Sequence, residues 1–248
     1  MHEGALNRLR PVPHSRFRLF VLHHAGGSHL GYRGWVRHFP DDWEICLLDA
    51  PGRVRSAHEP PLRDAEALAE RMHEVVRPEL DRPFGLFGHS MGALVAYELA
   101  LRLTDAGTPP RWLGASAWSP APGPERAAPR HLVSADRLRE TIARMGGTPR
   151  RALDDPDLWS YVEPLVRADL ELVDTWSPTP RGRPLRVPLS VFGGAQDRGM
   201  TPERLAGWSE HVEGGFAHHT LPGDHFYFTG RTAEVVTRIA QDVEPLLD

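Results

Sequence analysis

The stretch Pro83–Gly107, PFGLFGHSMGALVAYELALRLTDAG, decides how the rest of the chain is read. The apolar run Phe84–Phe87 reads as a buried strand. The residues from Met91 read as a helix ending at Gly107, with Pro109 and Pro110 beyond it. Between them, Gly88-His89-Ser90-Met91-Gly92 sets a serine among small residues at a sharp strand-to-helix turn. A G-x-S-x-G turn of this kind strains the serine backbone and leaves no room for side chains at the flanking glycines. The pentapeptide alone is common. The strand before it and the helix directly after it are what make Ser90 a candidate nucleophile. That helix also points its positive end at the place where an oxyanion would form.

The same logic extends outward. RFRLFVLHHAGGS (16–28) is an apolar strand running into a glycine-rich turn, and WEICLLDAPGR (43–53) is a strand over Trp43–Leu48 followed by a Pro-Gly turn. Asp64 can cap a helix through AEALAERMHEVV that stops near Pro78, and RWLGASAWS (111–119) is a further strand. Composition changes from Pro120 to about Arg186. A Pro/Ala loop, PAPGPERAAPR, leads into two or more amphipathic helices. One has Leu138, Ile142 and Met145 on one face, and another has Leu158, Tyr161, Val162, Leu165 and Val166. The core pattern resumes at VPLSVFGG and AHHTLPG and closes with a helix over about Thr232–Leu247.

Apolar strands alternating with helices predict an α/β fold, a mostly parallel sheet covered on both faces. The expected organisation is a single domain over 1–248. Its core covers about 16–119 and 186–248, a helical lid insertion covers about 120–185, and residues 1–15 are a polar leader.

Composition narrows the function. All 29 basic residues are arginine, so Schiff-base lysine chemistry and a phosphate-loop lysine are excluded. A net charge of −4 gives no strongly basic surface, so no nucleic-acid partner is expected. The lone Cys46 sits in an apolar run and reads as a buried, inert thiol. With no apolar leader and no segment long enough to cross a bilayer, the expectation is a soluble, cytoplasmic protein without a membrane partner. Nothing requires more than a monomer.

A serine hydroxyl needs a base. In a strand-turn-helix hydrolase the chain order is Ser, then acid, then His. After Ser90 come His131, His211, His218, His219 and His225. His131 falls in the insertion and His211 in a helix. His218 and His219 share a strand and face opposite ways, whereas His225 lies in the loop LPGDHFYF and is the expected base. Asp197, in the post-strand loop VFGGAQDRGMTP, is the expected acid. The alternative loop after ASAWS offers Ser119, and Asp224 reads as a turn residue. The expected oxyanion donors are the backbone N–H groups of Met91 and, from HHAGGS, Ala25. His24 reads as shaping that loop. The pairs 23/24 and 218/219 lack a metal site's spacing and third ligand, so no metal is expected.

With these residues placed, nearly the whole chain resembles the type II thioesterases. These are stand-alone α/β-hydrolases that accompany polyketide and nonribosomal peptide synthases. HHAGGSHLGYRGW, APGRVRSAHEPP and PFGLFGHSMGALVAYELA are similar to the family's first loop, second loop and elbow. GGTP (146–149) with LVRADLELVDTW is similar to its lid segment, and Ser90, Asp197 and His225 fall where its triad would. His23-His24 stands where the family has Pro-His, Trp118 where it has Gly-Arg, and Gly-Asp-His where it has Gly-Gly-His. These departures bear on the substrate, Trp118 most directly.

The resemblance implies hydrolysis of acyl thioesters on the phosphopantetheine arm of acyl or peptidyl carrier proteins, clearing stalled or aberrant groups. The enzyme would need no cofactor of its own. Product release, a carboxylesterase acting on free esters, and a non-catalytic binding protein remain the alternatives.

Overall fold

The computed structural model describes residues 4–120, 129–178 and 184–247. The Pro/Ala loop 120–130 lies largely outside the described residues. Among them is a seven-stranded sheet of order β1-β3-β2-β4-β5-β6-β7. Its strands are β1 (Leu6–Arg8), β2 (Phe17–Leu22), β3 (Trp43–Leu48), β4 (Phe84–His89), β5 (Trp112–Ser116), β6 (Leu189–Gly194) and β7 (Phe216–Leu221). All neighbours pair parallel except β1, which runs antiparallel to β3.

Strands β2 to β6 are buried at every position, as strands covered on both faces must be. On one face, α1 (Ala65–Val76) and α2 (Met91–Asp105) pack together over Phe20, Leu86 and Leu113. On the other, α7 (Thr232–Val243) and a 3₁₀ segment at Arg33–His38 cover Phe17, Trp43 and Phe192. Asp64 caps α1 by accepting the Ala67 N–H at 2.8 Å, which satisfies one otherwise unpaired amide of its first turn.

Between β5 and β6 the chain forms α3 (Ala135–Met145), α4 (Arg150–Asp154) and α5 (Pro156–Thr175). A short α6 (Pro202–Ala206) follows β6. The helices between β5 and β6 have a small core of their own: Leu138, Ile142, Leu153, Trp159, Val166 and Leu170.

Two expectations need correction. Residues 1–15 are not wholly a polar leader, because Leu6–Arg8 adds an edge strand whose Asn7 is buried against Leu47 and Asp49. The apolar stripe of α5 is also divided. Val166 is buried, but Leu158 and Tyr161 are exposed, and the helix buries Trp159, Ala168, Asp169, Leu170 and Leu172 instead. A helix that packs on two neighbours, the sheet core and the rest of the insertion, needs a wider and rotated buried face. No helix among the described residues is long and apolar enough to cross a membrane.

Candidate active site

The turn between β4 and α2 has the geometry its sequence demands. Ser90 takes φ +56° and ψ −117°, a conformation that costs a non-glycine residue about 1–3 kcal/mol. The surroundings over-determine it. The Ser90 N–H donates to the Ser116 carbonyl at 2.7 Å, tying the elbow to the end of β5. A Cβ on Gly88 would strike the Gly92 carbonyl, and one on Gly92 would come within 2.7 Å of the His23 carbonyl. The loop after β2 is therefore pressed directly on the start of α2, beside Met91.

Ser90 is half-buried, and its Oγ lies 3.1 Å from His225 Nε2. His225 follows β7, and its Nδ1 lies 2.7 Å from Asp197 Oδ2, in the loop after β6. Asp197 Oδ1 accepts the backbone N–H groups of Gly199 (2.9 Å) and Met200 (3.1 Å), so both carboxylate oxygens are engaged. Burial pushes the Asp197 carboxyl up. The hydrogen bond and charge of His225, with the two amide bonds, outweigh it and hold the group below the usual carboxylate value. An ionised Asp197 accepting from Nδ1–H leaves Nε2 as the lone-pair nitrogen facing Ser90.

The two expected oxyanion donors sit at the ends of neighbouring strands. Met91 is the first residue of α2, and Ala25 lies in the loop after β2, which pairs with β4 through Leu22 and Gly88. His24 to Gly27 form a turn in which the Gly27 N–H donates to the His24 carbonyl at 2.9 Å. Its third residue, Gly26, has φ +74°, as a type II turn requires.

Three buried histidines frame this centre, and burial holds all of them below the ordinary imidazole value. Desolvation brings His24 down to about 3, and placing a charge on it beside the His23 and His225 rings opposes protonation further. His24 Nδ1 lies 3.0 Å from the Tyr32 hydroxyl, the loop-shaping contact expected of it. His23 Nδ1 donates to the His24 carbonyl at 2.8 Å and its Nε2 accepts the Ala50 N–H at 3.1 Å, which stitches the first loop to the second. His89 is driven well down by burial, then by His225 and His24. Its Nδ1 lies 2.8 Å from Ser116 Oγ, which is 2.6 Å from the Tyr227 hydroxyl.

Asp224 accepts the Phe226 N–H at 3.1 Å and stays a turn residue. Trp118 differs from its expected part in substrate fit. It is buried in an aromatic cluster with Tyr97, Trp176 and Trp208, and its carbonyl accepts from Trp208 Nε1 at 2.7 Å.

A buried pair beside the first loop is not singled out by the sequence. Asp169 of α5 accepts the Gly26 N–H at 2.7 Å and pairs with Arg53 of the second loop. Its signal was a carboxylate one residue from the otherwise apolar positions Ala168 and Leu170, on a helix face that must be buried.

Sheet, elbow and insertion define an α/β-hydrolase. The chain belongs to the thioesterase family: the thioesterase domain model matches residues 17–245. It is similar to the gramicidin S biosynthesis protein GrsT of Aneurinibacillus migulanus, at 29% identity over 94% of this chain and 91% of that one. Among solved structures it resembles the RedJ thioesterase from the prodiginine biosynthetic pathway of Streptomyces coelicolor (TM-score 0.84, 32% identity, 92% of this chain and 86% of that one). It also resembles BorB, the type II thioesterase from the borrelidin biosynthetic cluster (TM-score 0.88, 31% identity, 96% and 97%). The resemblance to type II thioesterases read from the sequence is borne out, and the enzyme is a thioesterase.

Proposed function

We propose that this thioesterase removes acyl groups from the phosphopantetheine arm of acyl or peptidyl carrier proteins, clearing stalled or aberrant chains in polyketide or nonribosomal peptide synthesis. The observation that carries this reading is the hydrogen-bonded line Ser90–His225–Asp197, at 3.1 and 2.7 Å, in a chain similar over nearly its full length to BorB.

In this reading Ser90 Oγ attacks the thioester carbonyl while His225 Nε2 takes its proton. Asp197 holds the imidazole in the Nδ1–H tautomer and stabilises the imidazolium. The N–H groups of Met91 and Ala25 receive the oxyanion, helped by the positive end of α2. The tetrahedral intermediate then expels the arm's thiolate. A thiolate leaves readily, so the general acid is asked for less than in amide cleavage. Water activated by His225 hydrolyses the acyl-enzyme and frees Ser90.

No cofactor or metal bound by this chain is needed, since the phosphopantetheine arrives with the substrate. The helices between β5 and β6 act as a lid, with the exposed Leu158 and Tyr161 available to the acyl chain or its carrier. The protein works as a cytoplasmic monomer, without nucleic acid or membrane, beside the synthase it serves.

Intact-mass analysis tests this. Carrier proteins loaded with acyl groups of several lengths are incubated with the enzyme, alongside acyl-CoA and p-nitrophenyl esters. Faster deacylation of the carriers is expected. Preference for free esters would overturn the carrier assignment in favour of a carboxylesterase, and action confined to one full-length product would indicate release instead of clearing.

A further inference from the structure

Helix α5 touches both loops that shape the centre, through one side. Tyr161 donates its hydroxyl to the Gly52 carbonyl at 3.1 Å, and Leu165 packs where a Gly52 Cβ would be, at 2.8 Å. The next residue, Val166, fills the space over Gly26, where a Cβ would lie 2.6 Å from its Cγ2. Asp169 follows, with its side chain 1% exposed and Arg53's 3% exposed. Asp169 Oδ2 accepts from both Gly26 N–H and the Arg53 guanidinium, and Arg53 also donates to the Pro51 carbonyl at 2.7 Å.

The Gly26 amide is half of the central peptide of the His24–Gly27 turn, the peptide that flips when a type II turn relaxes. A flip changes ψ of Ala25 and φ of Gly26, and turns a carbonyl toward the place now held by an N–H. The adjoining Ala25 N–H is the donor offered to the oxyanion, and such donors act only when held in place before the reaction. A carboxylate suits the position because one group must accept an amide and neutralise a buried arginine. The charge itself is not what the turn needs.

We propose that Asp169 is a positioning residue for catalysis. It locks the Ala25–Gly26 peptide from helix α5, so the oxyanion hole is complete only while that helix is seated, and Arg53 is the counter-charge that lets the carboxylate be buried. This inference rests on the reading of Ser90 as nucleophile and Ala25 as oxyanion donor. It adds that the insertion builds the hole as well as covering it.

Two neutral double variants separate positioning from stability, since neither leaves a lone buried charge. Arg53→Gln with Asp169→Asn keeps an acceptor for the Gly26 N–H. Arg53→Met with Asp169→Leu keeps the packing and removes the acceptor. Thioester hydrolysis, the rate of Ser90 labelling by a fluorophosphonate, and thermal unfolding are measured on each. The amide pair is expected to retain kcat within about threefold of the parent. The apolar pair is expected to lose kcat by about tenfold or more at unchanged KM, with labelling slowed in parallel and a similar Tm. Equal kcat in the two double variants, whether both near the parent or both low, would overturn the proposal. Ser90→Ala run beside them keeps the two readings apart: if it hydrolyses as the parent does, the nucleophile assignment has failed, whatever the double variants do.

Discussion

At the elbow, Gly88 and Gly92 are pressed against backbone atoms, and Ser90 is held at φ +56° by a 2.7 Å bond to the end of β5. The insertion reaches the same centre by different means. Its helices rest on a small cluster around Ile142, Trp159 and Leu170, and they contact the active-site loops through side chains: Tyr161, Val166 and Asp169. Backbone contacts cannot be traded for other residues, so the elbow is rigid and its sequence is narrow. Side-chain contacts can be remade or released, so the insertion's seat on the centre tolerates substitution better than the elbow does. The difference sets a backbone-locked elbow beside an insertion that reaches the centre only through side chains, Asp169 among them.

The largest effect should come from breaking the elbow's chemistry. Ser90→Ala is expected to lower kcat by about 10⁴-fold or more on every thioester tested, with thermal unfolding unchanged. Asp197→Asn should lose about 10²- to 10⁴-fold, because the amide favours the wrong His225 tautomer. A fully active Asp197→Asn would make another group the acid.

A stability test sharpens the comparison. Leu94 lies fully buried in α2, and Ile142 is nearly so in α3. Leu94→Ala should cost about 3 kcal/mol of global stability by denaturant unfolding. Ile142→Ala should act mainly within its own cluster, speeding hydrogen exchange over α3 to α5 while the sheet amides keep their protection. Equal exchange throughout the chain would show the two regions to be one cooperative unit.

The smallest effect concerns pH. His89 is neutral and buried, with its folded-state pKa well below the ordinary value of 6.5. The unfolded chain therefore binds a proton there that the folded chain does not. Its contribution to stability is complete above about pH 6.5 and is lost progressively as pH falls toward the folded value. Between pH 7 and 5 stability therefore falls as the unfolded chain takes up that proton. His89→Phe, among the rings of Phe226 and Phe228, should remove that share of the acid loss in parallel urea titrations.

Much of the fold was legible because its signals are local. Trp43–Leu48 was bounded by a Pro-Gly turn, α1 by the Asp64 cap, and the elbow by two glycines that cannot be replaced. The edge strand at Leu6–Arg8 was not, because three residues with one buried side chain carry no period, and only pairing with β3 makes them a strand. In α5 the expected stripe holds at Val166 and fails at Leu158 and Tyr161, because the helix packs on the sheet core as well as on the rest of the insertion. The burial of Trp118 is not legible, because the aromatic partners that absorb it, Tyr97, Trp176 and Trp208, come from three distant segments.

The parallel sheet, the strained turn at Ser90, and the order Ser90, Asp197, His225 can all be read along the chain. Each depends on residue type and spacing along a short stretch. That Asp197 Oδ2 and Ser90 Oγ lie within reach of one imidazole, and that Asp169 meets Gly26 across 143 residues of chain, follows from the packed fold alone. Contacts between loops at the ends of different strands depend on how helices pack over the sheet, and no local pattern records that packing.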